Sequence, residues 1–471
     1  MPPIVASVIC SVGIAGLFWL ERAREARTSP ALWIPMIWLS IACSRSVSGW
    51  LAGRAGRGYT SAEQVLEGSP TDRLVFLIVI AVGLFVLVAR HQQVGKLLKA
   101  NGPILLFFLY GAMSILWSDF PEVAFKRWYK AVGDLVMILV VLSDREAYAA
   151  IKRFLARPTY VLLPLSILFI KYYPELGVGY GPWGGPGAYQ GVTTNKNTLG
   201  VICMGFGLAS LWRFLNLREN PERPKQKLHL IAEVAVLAMS VCLLWISNSM
   251  TSLNCFAMGT ILILASRLRM VQRNPRWLHL SAILMIAVSA SIAFLGLSPE
   301  TLAAMGRNPT LTDRTEVWRW LFKLSCNPIV GCGFESFWLG PRLAKLWEVY
   351  WWHPNEAHNG YIEVYINLGW LGIVLLAGVI LSGYRSVFRA YARFPQLGIL
   401  CIAYFVPALS YNFTEAALFR MLAPEWLFML LAMVVAAAIC NDIIRPSGQE
   451  VAKPSLAFSE EQVASVWNQV G

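Results

Sequence analysis

The chain has 471 residues, 56% of them hydrophobic and 14% charged, and carries a formal charge of +13. Soluble proteins carry roughly 25% charged residues, and one water-soluble core could not bury so many uninterrupted apolar runs, so lipid is the expected solvent for most of them. A soluble enzyme is thereby excluded, and the excess of Lys and Arg reads as a topology signal rather than a nucleic-acid footprint.

Residues 3–20 are apolar, no basic stretch precedes them, and the first charges, Glu21 and Arg22, follow. This is the pattern of an uncleaved first span rather than a removable signal. Further runs of spanning length at 31–53, 74–90, 103–117, 129–142, 156–171, 197–216, 228–246, 251–266, 278–297, 361–382, 397–413 and 422–440 predict an all-α polytopic membrane protein with 12 or 13 transmembrane helices. The expected organisation is ten helices over 1–297, one large loop with short helices over 298–360, three helices over 361–440 and a polar tail over 441–471.

The loops alternate in charge. Segments 21–30, 90–102, 143–157, 217–228, 267–277, 384–396 and 441–471 hold 23 Lys and Arg, against 15 on the opposite side, which is longer. The short basic loops at 217–227 and 267–276 place the first set in the cytoplasm. The N-terminus and the 298–360 loop are then extracytoplasmic. Of nine cysteines, seven lie in or beside apolar runs and behave as small hydrophobes. Cys326 and Cys332 share the polar loop, where they are either paired, as an oxidising compartment permits, or free.

Candidate chemistry gathers on that expected outer side. In LWSDFPEVAFKRWYK, 116–130, Lys126, Arg127 and Lys130 approach one membrane surface. In TTNKNTLG, 193–200, Lys196 stands between Asn195 and Asn197 where a span begins, and a helix N-terminus favours an anion. Arg45 falls inside the second span, where it must pair or reach outward. Within the long loop, Asp313 and Glu316 form a capping-box-like start to a helix that carries Arg314 and Trp318 on one face, with Arg307 just upstream. An Arg fork matches phosphate oxygens, and it equally matches a loop carboxylate. At the loop end, WWHPNEAHNGYIEVY brings His358, Asn359 and Tyr361 to the membrane surface. His358 is a candidate base or orienting group, and Asn359 a candidate ligand for sugar or phosphate; capping and an interfacial belt are the structural alternatives. Six of the 19 tryptophans fall in 298–360, suited to stacking on sugars or to that belt. Glu415 ends a span in YNFTEAALFR, 411–420. No Asp-x-Asp pair occurs, so a metal-bridged diphosphate has no obvious ligand set, and neither metal nor cofactor is expected.

Read in order, NKNTLG, DRTEVW, GCGFESFW, HNGYIEVYINLGWLG and NFTEAAL resemble the O-antigen ligase and polymerase superfamily, including exopolysaccharide polymerisation proteins of the rhizobial kind. The resemblance runs from about Trp117 to Leu418. It implies a C-type (GT-C-like) membrane glycosyltransferase; the expected reaction is inverting and metal-independent, in a bacterial inner membrane with a periplasmic active face. The donor it implies is an undecaprenyl-diphosphate-linked glycan, and the acceptor a growing polysaccharide or lipid A core, with other assembly proteins as further partners. Arg314 and Trp318 match the family's Arg-x-x-x-Trp-like element, and His358, Asn359 and Tyr361 its His-Asn-x-Tyr-like element. Arg127 and Lys196 stand where the family binds diphosphate. SNSMTS, 247–252, departs from the pattern, with Met250 where Arg is common. Polymerase is the expected activity, with ligase the alternative and a lipid-linked sugar flippase the rival of another class.

Overall fold

In lipid, a spanning backbone has no water to bond and must satisfy itself, which a helix does within one segment. The computed structural model describes residues 1–21, 28–53, 68–180, 187–218, 226–295, 311–350 and 352–444; for 226, 295 and 311–315 only the place in a helix is described. Among these residues the only strands are a two-residue pair joining Val178–Gly179 to Ala188–Tyr189. The chain is an all-α polytopic membrane protein. Seven described helices are long and apolar enough to cross a bilayer, a bent pair raises this to eight, and four shorter apolar helices accompany them.

In chain order, leaving aside the one-turn helices Pro174–Gly177 and Arg269–Arg273, the described α-helices are α1 (Pro3–Leu20), α2 (Trp33–Ala42), α3 (Val47–Leu51), α4 (Pro70–Ala89), α5 (His91–Ala100), α6 (Gly102–Ser114), α7 (Pro121–Leu142), α8 (Ala147–Tyr172) and α9 (Lys196–Arg218). After these come α10 (Gln226–Ile246), α11 (Met250–Ala265), α12 (Arg276–Leu295), α13 (Leu311–Leu324), α14 (Gly340–Val349), α15 (Gly360–Arg393), α16 (Pro395–Tyr411) and α17 (Pro424–Cys440). Helices α9, α16 and α17 are buried along nearly their whole length. They pack closely because small residues let them: a Cβ on Gly205 of α9 would lie 2.1 Å from the Phe428 ring of α17. Helices α1, α4 and α12 instead expose Val12, Phe85 and Leu284, side chains that lipid covers.

Three departures from the sequence expectation bear on the site, beside the longer reach of α8 at its start and of α15 at its end. The run 31–53 is broken rather than one span, with α2 ending at Ala42 and α3 beginning at Val47. Arg45 sits in the break, 1% exposed. Its Nε donates to the Thr193 carbonyl at 3.2 Å and its Nη2 to the Gly191 carbonyl at 3.1 Å and to that of Leu176. The buried guanidinium is therefore satisfied by carbonyls of the segment leading to α9, and it does not reach outward. The expected loop 90–102 is mostly helix α5, which meets the α6 segment at 88°. Helix α7 starts at Pro121, eight residues before the apolar run, because Pro121 at N1 and Glu122 in the first turn suit a helix start.

Helix α15 is kinked. Gly369 has φ 65° and ψ −166°, a conformation closed to side-chain-bearing residues. The N–H groups of Trp370 and Leu371 donate instead to the carbonyls of Pro328 and Ile329, at 2.9 and 3.0 Å. The carbonyls this frees, on Ile366 and Asn367, accept from the N–H groups of Cys332 and Gly333, at 3.2 and 2.8 Å. Residues 328–333 thus fill the kink by exchanging backbone bonds with it, which is how a broken helix stays satisfied in a membrane protein. Cys326 and Cys332, left open by the sequence, form a disulfide that closes this turn.

Candidate active site

The segment after α14 reaches α15 as a strap, described over 350 and 352–359, and its bonds explain where His358 stands. The Trp347 indole stacks on His353, ring centroids 4.5 Å apart, and its N–H donates to the Pro354 carbonyl at 2.9 Å. Trp318 of α13 donates to the Ala357 carbonyl at 2.9 Å. Glu363 of α15 accepts from the Ala357 N–H at 2.9 Å and from the Trp338 indole at 2.6 Å. Asn359 caps α15, its Oδ1 accepting from the Tyr361 and Ile362 N–H groups at 3.0 Å each, while its Nδ2 donates to the Phe413 carbonyl. His353 and His358 both take left-handed backbone, φ 51° and 48°. Non-glycine residues hold such angles where their surroundings over-determine them, often at functional sites.

So held, the His358 ring brings Nδ1 to 3.1 Å from Glu356 Oε1 and 3.3 Å from Glu415 Oε2. Glu356 is also paired with Arg420, and Glu415 Oε1 lies 3.5 Å from the Asn197 amide of α9. Burial opposes a charged imidazole, but hydrogen bonds to Glu356 and Glu415 outweigh it and raise His358 to about 9. For Glu356 burial acts upward, and the Arg420 guanidinium together with His358 overcomes it, lowering the carboxyl to about 2. Arg420 is correspondingly raised by Glu356 against its own burial. At neutral pH the cluster holds two cations against two carboxylates. Every described hydrogen bond of the ring is at Nδ1, which leaves Nε2 as the atom available to a ligand.

The same trio offers a metal ion three donor atoms within 4.8 Å of one another. Arg420 already neutralises Glu356, and a cation at Nδ1 would have to displace the proton both carboxylates hold. The donor set therefore suits a proton better than a divalent ion.

The remaining sequence candidates divide by use. Asn195 caps α9, its Oδ1 accepting from the Thr198 N–H at 2.8 Å, and Lys196 is exposed in the first turn of that helix. Asn197 turns inward to Glu415. The Tyr361 hydroxyl donates to the Leu409 carbonyl at 3.0 Å, and Asn359 and Trp318 are spent on capping and on the strap. Arg127 donates from Nη1 to the Glu335 carbonyl at 2.5 Å, tying α7 to the turn after Gly333. Arg314 lies one turn before Trp318 on α13, with its side chain outside the described residues, and Arg307 lies wholly outside them. Sequence reasoning missed Glu356 and Arg420, although both stand in motifs it singled out, two residues before His358 and five after Glu415.

Two comparisons with known proteins bear on this site. Residues 234–377 match the family model described as O-Antigen ligase, a span running from α10 through the kink of α15 and including His358 and Glu356. The chain is also 26% identical over 292 residues to an exopolysaccharide production protein, ExoQ, of Rhizobium meliloti (strain 1021). That match covers 60% of this chain and 64% of the length of the relative.

Proposed function

We propose, on the premise that this chain is of the O-antigen ligase/polymerase-like family, that it is an inverting membrane glycosyltransferase extending a polysaccharide from undecaprenyl-diphosphate-linked units. The observation that carries the reading is the His358 ring, gripped at Nδ1 by Glu356 and Glu415 with Nε2 left for a substrate.

In this mechanism an acceptor hydroxyl attacks the anomeric carbon from the face opposite the diphosphate. The new bond joins acceptor oxygen to anomeric carbon, the bond to the diphosphate oxygen breaks, and its electron pair leaves with the lipid diphosphate. The hydroxyl proton passes to Nε2 of neutral His358, and the two carboxylates at Nδ1 stabilise the imidazolium that forms, as the carboxylate of a catalytic triad does for its histidine. A diphosphate needs charge stabilisation rather than a proton. Lys196 at the N-terminus of α9 is suited to it, as are Arg127, Arg314 and Arg307. Asn195 and Asn197 shape the α9 end of the site, while Trp318, Asn359 and Tyr361 act by holding the strap and α15 in place.

The active face is the periplasmic side of a bacterial inner membrane. Support comes from the charge asymmetry of the loops and from the Cys326–Cys332 disulfide, since such bonds persist in oxidising compartments. Metal and cofactor play no part in this scheme.

The test is turnover of extracted lipid-linked donor by the purified protein, without ATP or an ion gradient, followed by product sizing. Longer glycan supports the polymerase; transfer to lipid A core instead identifies a ligase. Movement of donor across a vesicle only with a gradient, and no new glycosidic bond, would overturn the enzyme reading in favour of a flippase. His358→Ala and Arg314→Ala are expected to lose product while still accumulating in the membrane.

A further inference from the structure

Among the described loop tryptophans, several are tied into the loop and others stand open. Trp318, Trp338 and Trp347 spend their indole N–H on the Ala357 carbonyl, the Glu363 carboxylate and the Pro354 carbonyl, so they pin the loop. Trp352 has a different setting. It is 38% exposed, and its ring lies 6.2 Å from that of His358 and 5.9 Å from that of Tyr350. An indole left open beside a cluster of Glu356, His358, Glu415 and Arg420 does not face acyl chains, because that cluster of charges has no place against them.

The strap fixes this ring in place. Immediately after Trp352, His353 is stacked beneath Trp347, and four residues on, Glu356 is held by Arg420. Both histidines of the strap, His353 and His358, take left-handed backbone. The indole is thus displayed with little freedom to lose on binding, the condition under which a single ring contributes most. Its exposed face is electron-rich and apolar. The matching ligand surface is one bearing C–H bonds on a flat face and hydroxyls around its edge.

We infer that Trp352 is the platform of a sugar subsite, on which one pyranose ring stacks by its C–H face while His358 Nε2 meets a hydroxyl at its rim. The inference rests on the glycosyltransferase reading and gives that site its sugar-binding surface. Asn355, exposed on the same strap, supplies an edge donor and acceptor.

The test uses full-length protein in lipid nanodiscs and has two arms. In the first, kcat and KM are measured separately for lipid-linked donor and for acceptor in wild type, Trp352→Phe and Trp352→Ala. Trp352→Ala is expected to raise KM for one of the two about tenfold with little change in kcat, Trp352→Phe to stay within about threefold, and the substrate affected tells donor from acceptor. In the second arm, saturation-transfer NMR follows lipid-free oligosaccharide cut from the polysaccharide of the source strain. Wild type is expected to transfer saturation to ring C–H protons, and Trp352→Ala to lose that signal. Unchanged KM for both substrates in a Trp352→Ala protein that retains its Cys326–Cys332 disulfide overturns the subsite while leaving the enzyme reading intact. If wild type turns over no donor, the enzyme reading fails, and the NMR arm alone decides the platform.

Discussion

Glu356 Oε1 lies 3.1 Å from Nδ1 of His358, and the two groups move each other's titration in opposite directions, the histidine up to about 9 and the carboxyl down to about 2. The pair stays fully charged between those values. A histidine with an ordinary value near 6.5 would be mostly neutral at pH 7.5; this one is mostly imidazolium.

The first prediction is the pH dependence of turnover. If neutral His358 takes the acceptor proton, kcat/KM rises about tenfold per pH unit below the titration and levels near pH 9. A pH–rate profile on purified protein reads this directly. A rate that falls through pH 9 would reverse the assignment and make the imidazolium the working form, as a donor to the diphosphate. Stability runs the other way: the raised value of His358 contributes stability fully below about 6.5, which is lost as pH rises through about 9. Glu356 contributes above about 4.5 and loses its contribution as pH falls through about 2. Maximal thermal stability from this pair is therefore expected between about pH 4.5 and 6.5, below the activity optimum.

Glu415→Gln tests which carboxylate tunes the ring. An amide keeps the Asn197 side of the site filled but removes one of the two negative charges at Nδ1. The acid limb of the pH–rate profile should move down from about 9 toward the ordinary range, with a rate loss of tenfold or more at high pH as the imidazolium loses a stabilising partner. Glu356→Gln should differ, because it also strands Arg420, so reduced accumulation in the membrane is expected alongside the shift. Identical profiles for Glu415→Gln and wild type would remove Glu415 from the mechanism.

The contrast between these residues explains how much could be read from the chain alone. Hydropathy finds helices because lipid forces every apolar run of sufficient length to close its own hydrogen bonds, and α1, α9 and α12 follow their runs within two residues or so. It fails at 31–53, where Arg45 needs carbonyls that lie 131 to 148 residues away in sequence. The same holds for the site. His358 and Glu415 are visible as polar residues at the ends of apolar runs. Arg420 and Glu356 are no less polar, but their importance depends on a pairing across 64 residues that no local spacing records. Asn359 and Tyr361 carry the opposite lesson: residue types able to bind sugar are here bonded to the Phe413 and Leu409 carbonyls.

Removing the disulfide should loosen the turn that fills the α15 kink. A bridge closing a loop of six residues' separation constrains the unfolded chain by about 2 kcal/mol. Cys326→Ser and Cys332→Ser are each expected to lower thermal stability and to speed proteolysis near 328–333, and a reductant should reproduce this in wild type only. A reporter fusion placed after Cys326 should register an extracytoplasmic position, and one after Ile444 a cytoplasmic one. Both reporters on one side would overturn the orientation.

Gly369→Ala is the most severe single change the kink allows. At φ 65° and ψ −166° a side chain is strained whatever the space, and here a Cβ would also lie 2.3 Å from the Ile329 carbonyl carbon and oxygen. Both atoms are backbone and Ile329 accepts the Leu371 N–H, so neither strand can yield without breaking the exchange that satisfies the helix. The backbone strain alone costs about 1–3 kcal/mol, and each amide or carbonyl left unpaired adds about 1–3 kcal/mol. The expected result is a protein that inserts, because the apolar runs are unaltered, but whose 328–333 turn is displaced from α15. Asn367 would then lose the Gly333 and Phe337 N–H groups it now holds, and with them the packing that sets Glu363 beneath Ala357 and His358. Activity should fall at least as far as in His358→Ala, although Gly369 touches none of the reacting groups. Hydrogen exchange at Trp370 and Leu371 would report the displaced turn directly, and unchanged protection there would show that the kink is satisfied without it.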